Sequence, residues 1–441
     1  MSGITNHPQI EMAPYGSVHP NSKNPRKKTK RQIELIVQSL RRFGFKGALI
    51  VDKDSGMILA GNALWEAAGI LGMEELPVIR VSFTTEADTR AFILAHNRLA
   101  ELSSWDDGIV AEELNFLLDD GYDFEVTGFS TADMDYTFAD DEQAEAPDLI
   151  ELPDPDALAI SRLGDLWQVG PHRLYHGDAR DAASYEALLG DERARLVFAD
   201  SPYNVRVNGH IGGNGKARHR EFAMASGELT QAEFTAFLRI VFRNCVRFST
   251  NGSIHYQCMD WRHTREILDA ADGVYDQHKQ LIVWVKESGG QGAFYRSQHE
   301  LVFVFKAGKG RHINNFGLGG GGVYRTNVVR HAGANSFRKG RARDLADHCT
   351  VKPTAMVIDF IRDCSNRGDL VLDPFCGSAT TLIAAHKTHR RGAAIEIDAL
   401  YVDTSLRRLC DASGLVATLA GDGRTFAEVS AARSTEEASH V

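Results

Sequence analysis

The sequence predicts an α/β protein: a mostly parallel sheet with helices on both faces, preceded by a smaller α+β domain. Three observations carry this prediction. Past residue 160, short apolar runs alternate with helical spacings, the pattern of strands joined by crossover helices. Two of the runs, Leu196-Val197-Phe198-Ala199 and Leu370-Val371-Leu372, open directly into Asp200-Ser201-Pro202-Tyr203 and Asp373-Pro374-Phe375-Cys376-Gly377-Ser378. Buried strands that end in such loops are where open α/β sheets bind ligands. Between the domains, Asp133 to Asp156 holds ten acids and no base, with Pro147, Pro153 and Pro155; like charges keep such a stretch extended, as a linker.

The elements follow in order. A chain of 441 residues is too long for one ordinary core, so two domains are expected. Residues 1–22 are polar, with Pro8, Pro14 and Pro20, and read as a disordered tail. A first domain is expected over 23–132. Ile33, Ile36, Val37 and Leu40 have helical spacing, ended by Gly44. Ala48 to Val51 and Met57 to Ala60 read as strands joined at Asp54-Ser55-Gly56. Gly61 to Leu71 reads as a helix, Leu76 to Val81 as a strand, and Glu86 to Leu102 and Ile109 to Leu118 as helices. The acidic linker covers 133–160, a second domain 161–432 and a tail 433–441. Strands are expected at Trp167–Val169, Arg173–His176, Leu196–Ala199, Gly252–Tyr256, Lys279–Val285 and Glu300–Phe305, and again at Leu370–Leu372 and Ala393–Ile397. Helices are expected at Gln231–Phe242, Thr264–Ala271, Ala355–Cys364 and Ala379–Lys387. Residues 306–349 are Gly-rich, basic and without periodicity, and read as an inserted loop region.

Composition bounds the partners. Hydrophobic residues make up 43% and charged residues 24%, as in ordinary globular proteins. No apolar stretch can span a bilayer, Met1 to Pro20 lacks the apolar core of a secretion signal, and six cysteines are scattered without a C-x-x-C pair. A cytoplasmic protein without membrane or metal is expected. The net charge of −10 hides a basic cluster: from Lys306 to Arg343 there are nine Lys/Arg and no acid. That imbalance favours phosphate contact through Arg311, Arg325, Arg330, Arg338, Lys339, Arg341 and Arg343. A second cluster, Lys23 to Lys46, fits a solvated face as well as it fits a polyanion.

The chemistry of the two loops differs. An acid, a proline and an aromatic suit a flat base with an exocyclic amino group: Asp200 accepts one N–H, the carbonyl of Ser201 accepts the other, Pro202 stiffens the turn and Tyr203 offers a stacking face. In the second loop Asp373 can meet a cofactor's amino acid moiety, Gly377 permits close backbone approach, and Ser378 to Thr381, including Thr380, opens a helix whose N–H groups favour a carboxylate. Glu396 and Asp398 end the next strand, where an acid suits ribose hydroxyls. Asp178, after the strand Leu174-Tyr175-His176, suits an adenine amino group. Any one of these acids could merely cap a helix; three at successive strand ends point to a nucleotide-like cofactor.

These motifs carry a resemblance. Residues 163 to about 429 are similar to DNA modification methylases of the N4-cytosine/N6-adenine type, in the permuted order with the catalytic motif first. It rests on Asp200-Ser201-Pro202-Tyr203-Asn204-Val205, Arg220 to Glu228, Tyr295-Arg296-Ser297-Gln298-His299-Glu300-Leu301-Val302-Phe303, Thr350-Val351-Lys352-Pro353, Leu372 to Ser378, and Ile395-Glu396-Ile397-Asp398 with Tyr401. It implies a Rossmann-like methyltransferase sheet, S-adenosylmethionine as cofactor with Phe375 and Lys352 joining the cofactor residues above, double-stranded DNA as partner, and target recognition in 306–349. The implied activity is methylation of adenine N6, with cytosine N4 or a catalytically impaired DNA-binding protein as alternatives; a homodimer is left open. Residues 24–129 resemble the ParB-like nuclease domain through Asn24-Pro25, Phe43-Gly44, Ile50-Val51-Asp52 and Gly61 with Ala67-Ala68. Three positions depart from these patterns. Ser201 stands for a usual proline and Ala379 for a usual glycine. In Gly61-Asn62-Ala63-Leu64 an apolar residue replaces the phosphate-pairing arginine, so an accessory DNA-positioning role is expected there rather than cleavage.

Overall fold

The computed structural model describes residues 9–136, 157–205, 225–286, 289, 294–316, 325–331 and 352–438, which belong to two compact units, Met1–Asp140 and Asp141–Val441.

The first unit contains β1 (Ile10–Pro14), α1 (Lys30–Phe43), β2 (Leu49–Asp52), β3 (Ile58–Ala60), α2 (Asn62–Ile70), β4 (Glu75–Val81), α3 (Glu86–Ala100), α4 (Asp107–Asp119) and α5 (Thr131–Tyr136). Its sheet has the order β1-β4-β2-β3, with β2 and β4 parallel and the outer pairs antiparallel. Thr29 caps α1 by accepting from the Gln32 N–H, and Ile33, Val37 and Leu40 are its buried residues. The spacing of these three puts them on one helix face. Gly61 precedes α2 with φ +99°, and a Cβ there would lie 2.6 Å from the Leu49 side chain, so only glycine fits. Asn62 beside it is buried, and its amide accepts from the Asn21 N–H at 3.0 Å.

Two expectations need correction in this unit. Residues 1–22 are not a tail throughout: Ile10–Pro14 is an edge strand paired along β4, with Ala13 and Val18 buried. A single buried residue in a five-residue edge strand leaves almost no alternation to read. The acidic run is also partly folded, since α5 extends to Tyr136.

The second unit contains β5 (Leu166–Val169), β6 (His172–His176), α6 (Ala182–Leu189), β7 (Ala194–Ala199), α7 (Gln231–Arg247), β8 (Ser249–Met259), α8 (Thr264–Ala271), β9 (Gln277–Val285), β10 (His299–Ala307), β11 (Val328–Arg330), α9 (Thr354–Cys364), β12 (Leu370–Asp373), α10 (Thr380–Lys387), β13 (Arg391–Glu396), α11 (Ala399–Ser413), β14 (Ala417–Leu419) and α12 (Phe426–Ala438). Ten strands form one sheet in the order β11-β9-β10-β8-β7-β12-β13-β6-β5-β14. The middle five, β8-β7-β12-β13-β6, are parallel; β10, β9, β5 and β14 add antiparallel flanks. Period-two alternation splits each central strand between two cores. Val197 and Ala199 join the cluster of Phe234, Leu238 and Val241 from α7, while Leu196 and Phe198 join that of Met356, Val357 and Phe360 from α9.

Three further expectations change. The 306–349 stretch contains the edge strand β11, parallel to β9, as well as loop. The tail at 433–441 begins inside α12, where Arg433 pairs with Asp165. The end of the acidic linker is fastened down: the Ile160 and Ser161 N–H groups donate to the buried Asp403 carboxylate at 2.6 and 2.9 Å.

Candidate active site

The chain leaves β7 towards β8 on one side of the sheet, and leaves β12 towards β13 on the other. The crevice between β7 and β12 is therefore the switch point, where ligands bind beyond the strands' carboxyl ends. Leu196 and Val197 pair in parallel with Val371 and Leu372, so the Asp200 and Asp373 turns emerge side by side at one end of the sheet.

Asp200 sits in a network of four charges. Lys352 Nζ donates to both of its oxygens, at 2.7 and 2.8 Å, and lies 3.0 Å from Glu300 Oε2. Glu300 pairs in turn with Lys286. The Tyr203 hydroxyl is 3.0 Å from Asp200 Oδ1 and 3.1 Å from Glu300 Oε2, and its proton serves that pair; Lys352 Nζ stands 5.2 Å from the Tyr203 ring centre. Two acids and two cations balance, which is how so many charges tolerate burial. Burial and then the charge of Glu300 push the Asp200 carboxyl above its usual range, against the pull of Lys352. Burial works against the Lys352 charge, but Asp200 and Glu300 more than offset it and hold the ammonium protonated. Burial would also raise Glu300, yet the two lysines bring it down to about 2. Ser201 is buried. Asn204 (φ +52°) pins the next described segment: its amide donates to the Leu229 carbonyl and accepts from the Gly227 and Leu229 N–H groups at 2.8, 3.0 and 3.2 Å.

The second turn is held by its own acid. Asp373 accepts from the Phe375 N–H at 2.9 Å and from the Thr381 hydroxyl at 2.5 Å. Burial, in spite of these bonds, pushes its carboxyl up to about 7, and the negative charge of Asp200 adds to the rise. Glu396 accepts from the N–H groups of Gly377, Ile397 and Asp398 at 2.8, 3.0 and 3.0 Å, and burial raises it to about 7 as well. Asp398 caps α11. Burial opposes ionisation of Asp178, but its bonds to Arg180 keep it below the usual carboxylate range. Ser378 and Thr380 face Arg408, which donates to the Ser378 hydroxyl at 3.2 Å. Phe375 packs against Phe237. Gly377 has φ +54°, and nothing lies closer than 3.9 Å to where its Cβ would be, so its backbone is open to close approach.

Not every expected residue lies where its role required. Lys352, assigned to the cofactor turn, contacts Asp200 and Glu300 instead. Arg325, assigned to DNA, is spent inside the fold: it donates to Asp359 at 2.9 and 3.1 Å and to Asp363 at 3.0 Å. Arg311 lies at the wrong end of the sheet for Asp200. β10 runs antiparallel to β8, its far end returns to the start of β8, and the Gly310 N–H donates to Asn251. Arg330, exposed on β11 opposite Val285, lies at the Asp200 end. Arg338, Lys339, Arg341 and Arg343 lie outside the described residues, as do Arg220 to Met224 and Thr350-Val351. Glu300, Lys286 and Asn204 had no assigned role. Two signals pointed to Glu300: its place in the Tyr295–Phe303 motif, and an acid beginning the otherwise apolar run Leu301–Phe305.

Residues 194–407 match the N6/N4 family model described as DNA methylase. The second unit is a DNA methylase of the N6-adenine/N4-cytosine family. It is 29% identical to the DNA adenine methyltransferase YhdJ of Escherichia coli (strain K12) over 266 residues, which are 54% of this chain and 83% of that protein. The solved M1.HpyAVI–SAM complex is 19% identical, with a TM-score of 0.40, over 54% of this chain and 98% of the other. A further likeness, to the C-terminally truncated chromosome-partitioning protein ParB of Caulobacter crescentus, covers 30% of this chain and 77% of the other at 18% identity and a TM-score of 0.26. The methylase is an S-adenosylmethionine-dependent enzyme, and its residues fit that cofactor: the Asp373 and Glu396 carboxyls keep acceptor capacity beyond the bonds described and suit hydroxyl or ammonium groups, and the open Gly377 backbone lies between them in sequence. Among the described residues no helix is long and apolar enough to cross a membrane, and no cluster of ligating side chains could hold a metal.

Proposed function

We propose that the methylase modifies the exocyclic N6 of adenine in double-stranded DNA. The adjacency of the Asp200 and Asp373 turns on neighbouring parallel strands carries this reading, because an amino group held at the first turn is then presented to a ligand held at the second. When bound, S-adenosylmethionine supplies an electrophilic methyl on a sulfonium. Asp373, Glu396 and Asp178 hold the cofactor's polar groups, with Phe375, Gly377, Ser378, Thr380 and Asp398 shaping the loop. An aromatic amine is a poor nucleophile, since its lone pair is delocalised into the ring. Asp200 accepts one amino N–H and the Ser201 carbonyl the other, which favours a pyramidal nitrogen. Tyr203 stacks on the base once it has left the duplex. Lys352 bonds both oxygens of Asp200 and leaves Oδ2 room for a further donor, so Lys352 belongs to the base site. Arg330, and the basic residues between 338 and 343, contact phosphate. The first unit acts as a ParB-like accessory domain that positions DNA.

Asp200→Ala tests the central role. It lowers tritium transfer from labelled cofactor to DNA by at least about 100-fold, the scale of losing a charged group that acts in the transition state, and leaves cofactor affinity within about 3-fold. Retained transfer refutes the assignment. Mass spectrometry of nucleosides from the modified DNA decides the base: N6-methyladenine is expected, and N4-methylcytosine would redirect the same chemistry to the other amino base.

A further inference from the structure

The hairpin between β9 and β10 runs on past the end of the sheet. The Lys286 N–H donates to the Gln298 carbonyl at 2.9 Å, and the Gln298 side chain donates back to the Lys286 carbonyl at 2.9 Å, so the strands stay joined beyond Val285 and His299. Lys286 and Glu300, at the base of this extension, belong to the charge network around Asp200. The connecting loop therefore springs from the rim of the candidate active site.

That loop carries Phe294 and Tyr295, 88% and 87% exposed, the two most exposed large hydrophobics among the described residues. Their rings meet edge to face at 4.6 Å. Arg296, also exposed, follows them. Two adjacent aromatics in water display on the order of 300 Å² of apolar surface that does nothing for the fold. Isolated exposed apolar residues need no explanation, but a paired aromatic tip beside a catalytic crevice does.

We propose that Phe294 and Tyr295 form a stacking wedge that enters the DNA duplex and occupies the gap left by the target base. The inference rests on the proposed methylation of duplex DNA and adds the means by which the base leaves it. Chemistry on an exocyclic amine requires an unstacked base. The vacated step is apolar and flat, and inserted aromatic or aliphatic side chains are the general way proteins hold such a step open. Every base offers a π face, so the wedge works without reading sequence, and Arg296 supplies a cation for the adjacent phosphate.

The test compares two substrates that differ only in pairing: a random-sequence 40-base-pair duplex pool, and the same pool with a central unpaired bubble. In the Phe294→Ala/Tyr295→Ala double variant, tritium transfer to the paired pool falls on the order of 10- to 100-fold, the scale of losing base–aromatic stacking. Transfer to bases inside the bubble, mapped along the strand, stays within about 3-fold of wild type, because no base need be expelled there. Equal losses on both pools, or none on either, overturn the wedge. Phe294→Tyr/Tyr295→Phe, which keeps both rings, restores transfer to the paired pool. A readout free of methyl transfer separates this inference from the reading beneath it. Tyr295→Trp, bound to the paired pool as followed by anisotropy, shows quenching of the added indole emission if the ring stacks between bases. Unquenched emission in the bound complex overturns the wedge, whereas a wild type that labels neither pool counts against the methylation itself.

Discussion

At the scale of single residues, Lys352 and Glu300 set the charge state of Asp200 from opposite directions. Asp200 accepts an amino N–H more strongly when ionised, so the acid limb of the activity profile reports its carboxyl. The groups facing it are Lys352, Glu300, Tyr203 and, more distantly, Cys258, Asp373 and Lys286. Lys352→Met removes the nearest cation and leaves two partly buried acids together; the acid limb of kcat/KM moves to higher pH, and stability falls by roughly 1–3 kcal/mol, less than the cost of breaking a fully buried pair. Glu300→Gln removes the like charge, and the limb moves to lower pH. Urea titrations and pH profiles of both variants check the two directions, and parallel shifts would contradict the arrangement. Ala379 is a second instructive residue. It adopts φ +66°, where an L side chain costs roughly 1–2 kcal/mol, yet its methyl is wholly buried among Cys376, Leu382 and Ile383, worth about 0.8 kcal/mol. Ala379→Gly therefore changes stability by less than about 1 kcal/mol, read by urea denaturation, and the departure from glycine is tolerated because burial offsets strain.

At the scale of elements, the ends of β12 and β13 hold carboxyls that are easier to protonate folded than unfolded. Asp373 and Glu396 sit at about 7 in the fold, against about 4 in an unfolded chain. Their stabilising contribution is present below the unfolded value and is lost as pH rises through about 7. Asp373→Asn abolishes this dependence at one site. The difference in unfolding free energy between variant and wild type moves in the variant's favour by up to about 1.4 kcal/mol per pH unit between pH 4 and 7, and is level above that. Two buried histidines work the other way, His172 lowered by burial to about 4 and His255 to about 3, so the comparison with wild type isolates the carboxyl. The strands bearing these acids were legible because β7, β12 and β13 are short apolar runs buried on both faces and bounded by turn residues. The elements that escaped include β1, β11, β14, α5, α6 and α12, which are short, half-exposed or weakly patterned, and α11, although its buried Val402, Leu406 and Leu409 lie on one helical face. Nothing in Ile10–Pro14 or Val328–Arg330 signals a strand until a partner edge is present to satisfy its backbone.

At the scale of the whole molecule, charge along the chain is not charge at the site. The basic stretch from 306 onwards reads as one patch, but its described members separate in space. Arg311 lies at the end of the sheet away from Asp200, Arg325 is neutralised by Asp359 and Asp363, and Arg330 stands at the Asp200 end. Arg330→Ala raises the KM for DNA by about 3- to 10-fold and flattens its dependence on salt by about one phosphate contact, whereas Arg311→Ala leaves both unchanged. Steady-state titrations at two salt concentrations check the contrast; a loss at Arg311 equal to that at Arg330 would place DNA across the far end of the sheet.

The sequence by itself determined that two acid-bearing turns follow buried parallel strands, because apolar runs, prolines and glycines act locally and leave a local record. Only the tertiary structure decided that β12 and β13 insert between β6 and β7, that Lys352 crosses 152 positions of chain to grip Asp200, and that Arg325 serves the core. Strand order and ion pairing depend on which distant segments meet, and the free energy of those meetings is not a property of any window along the chain.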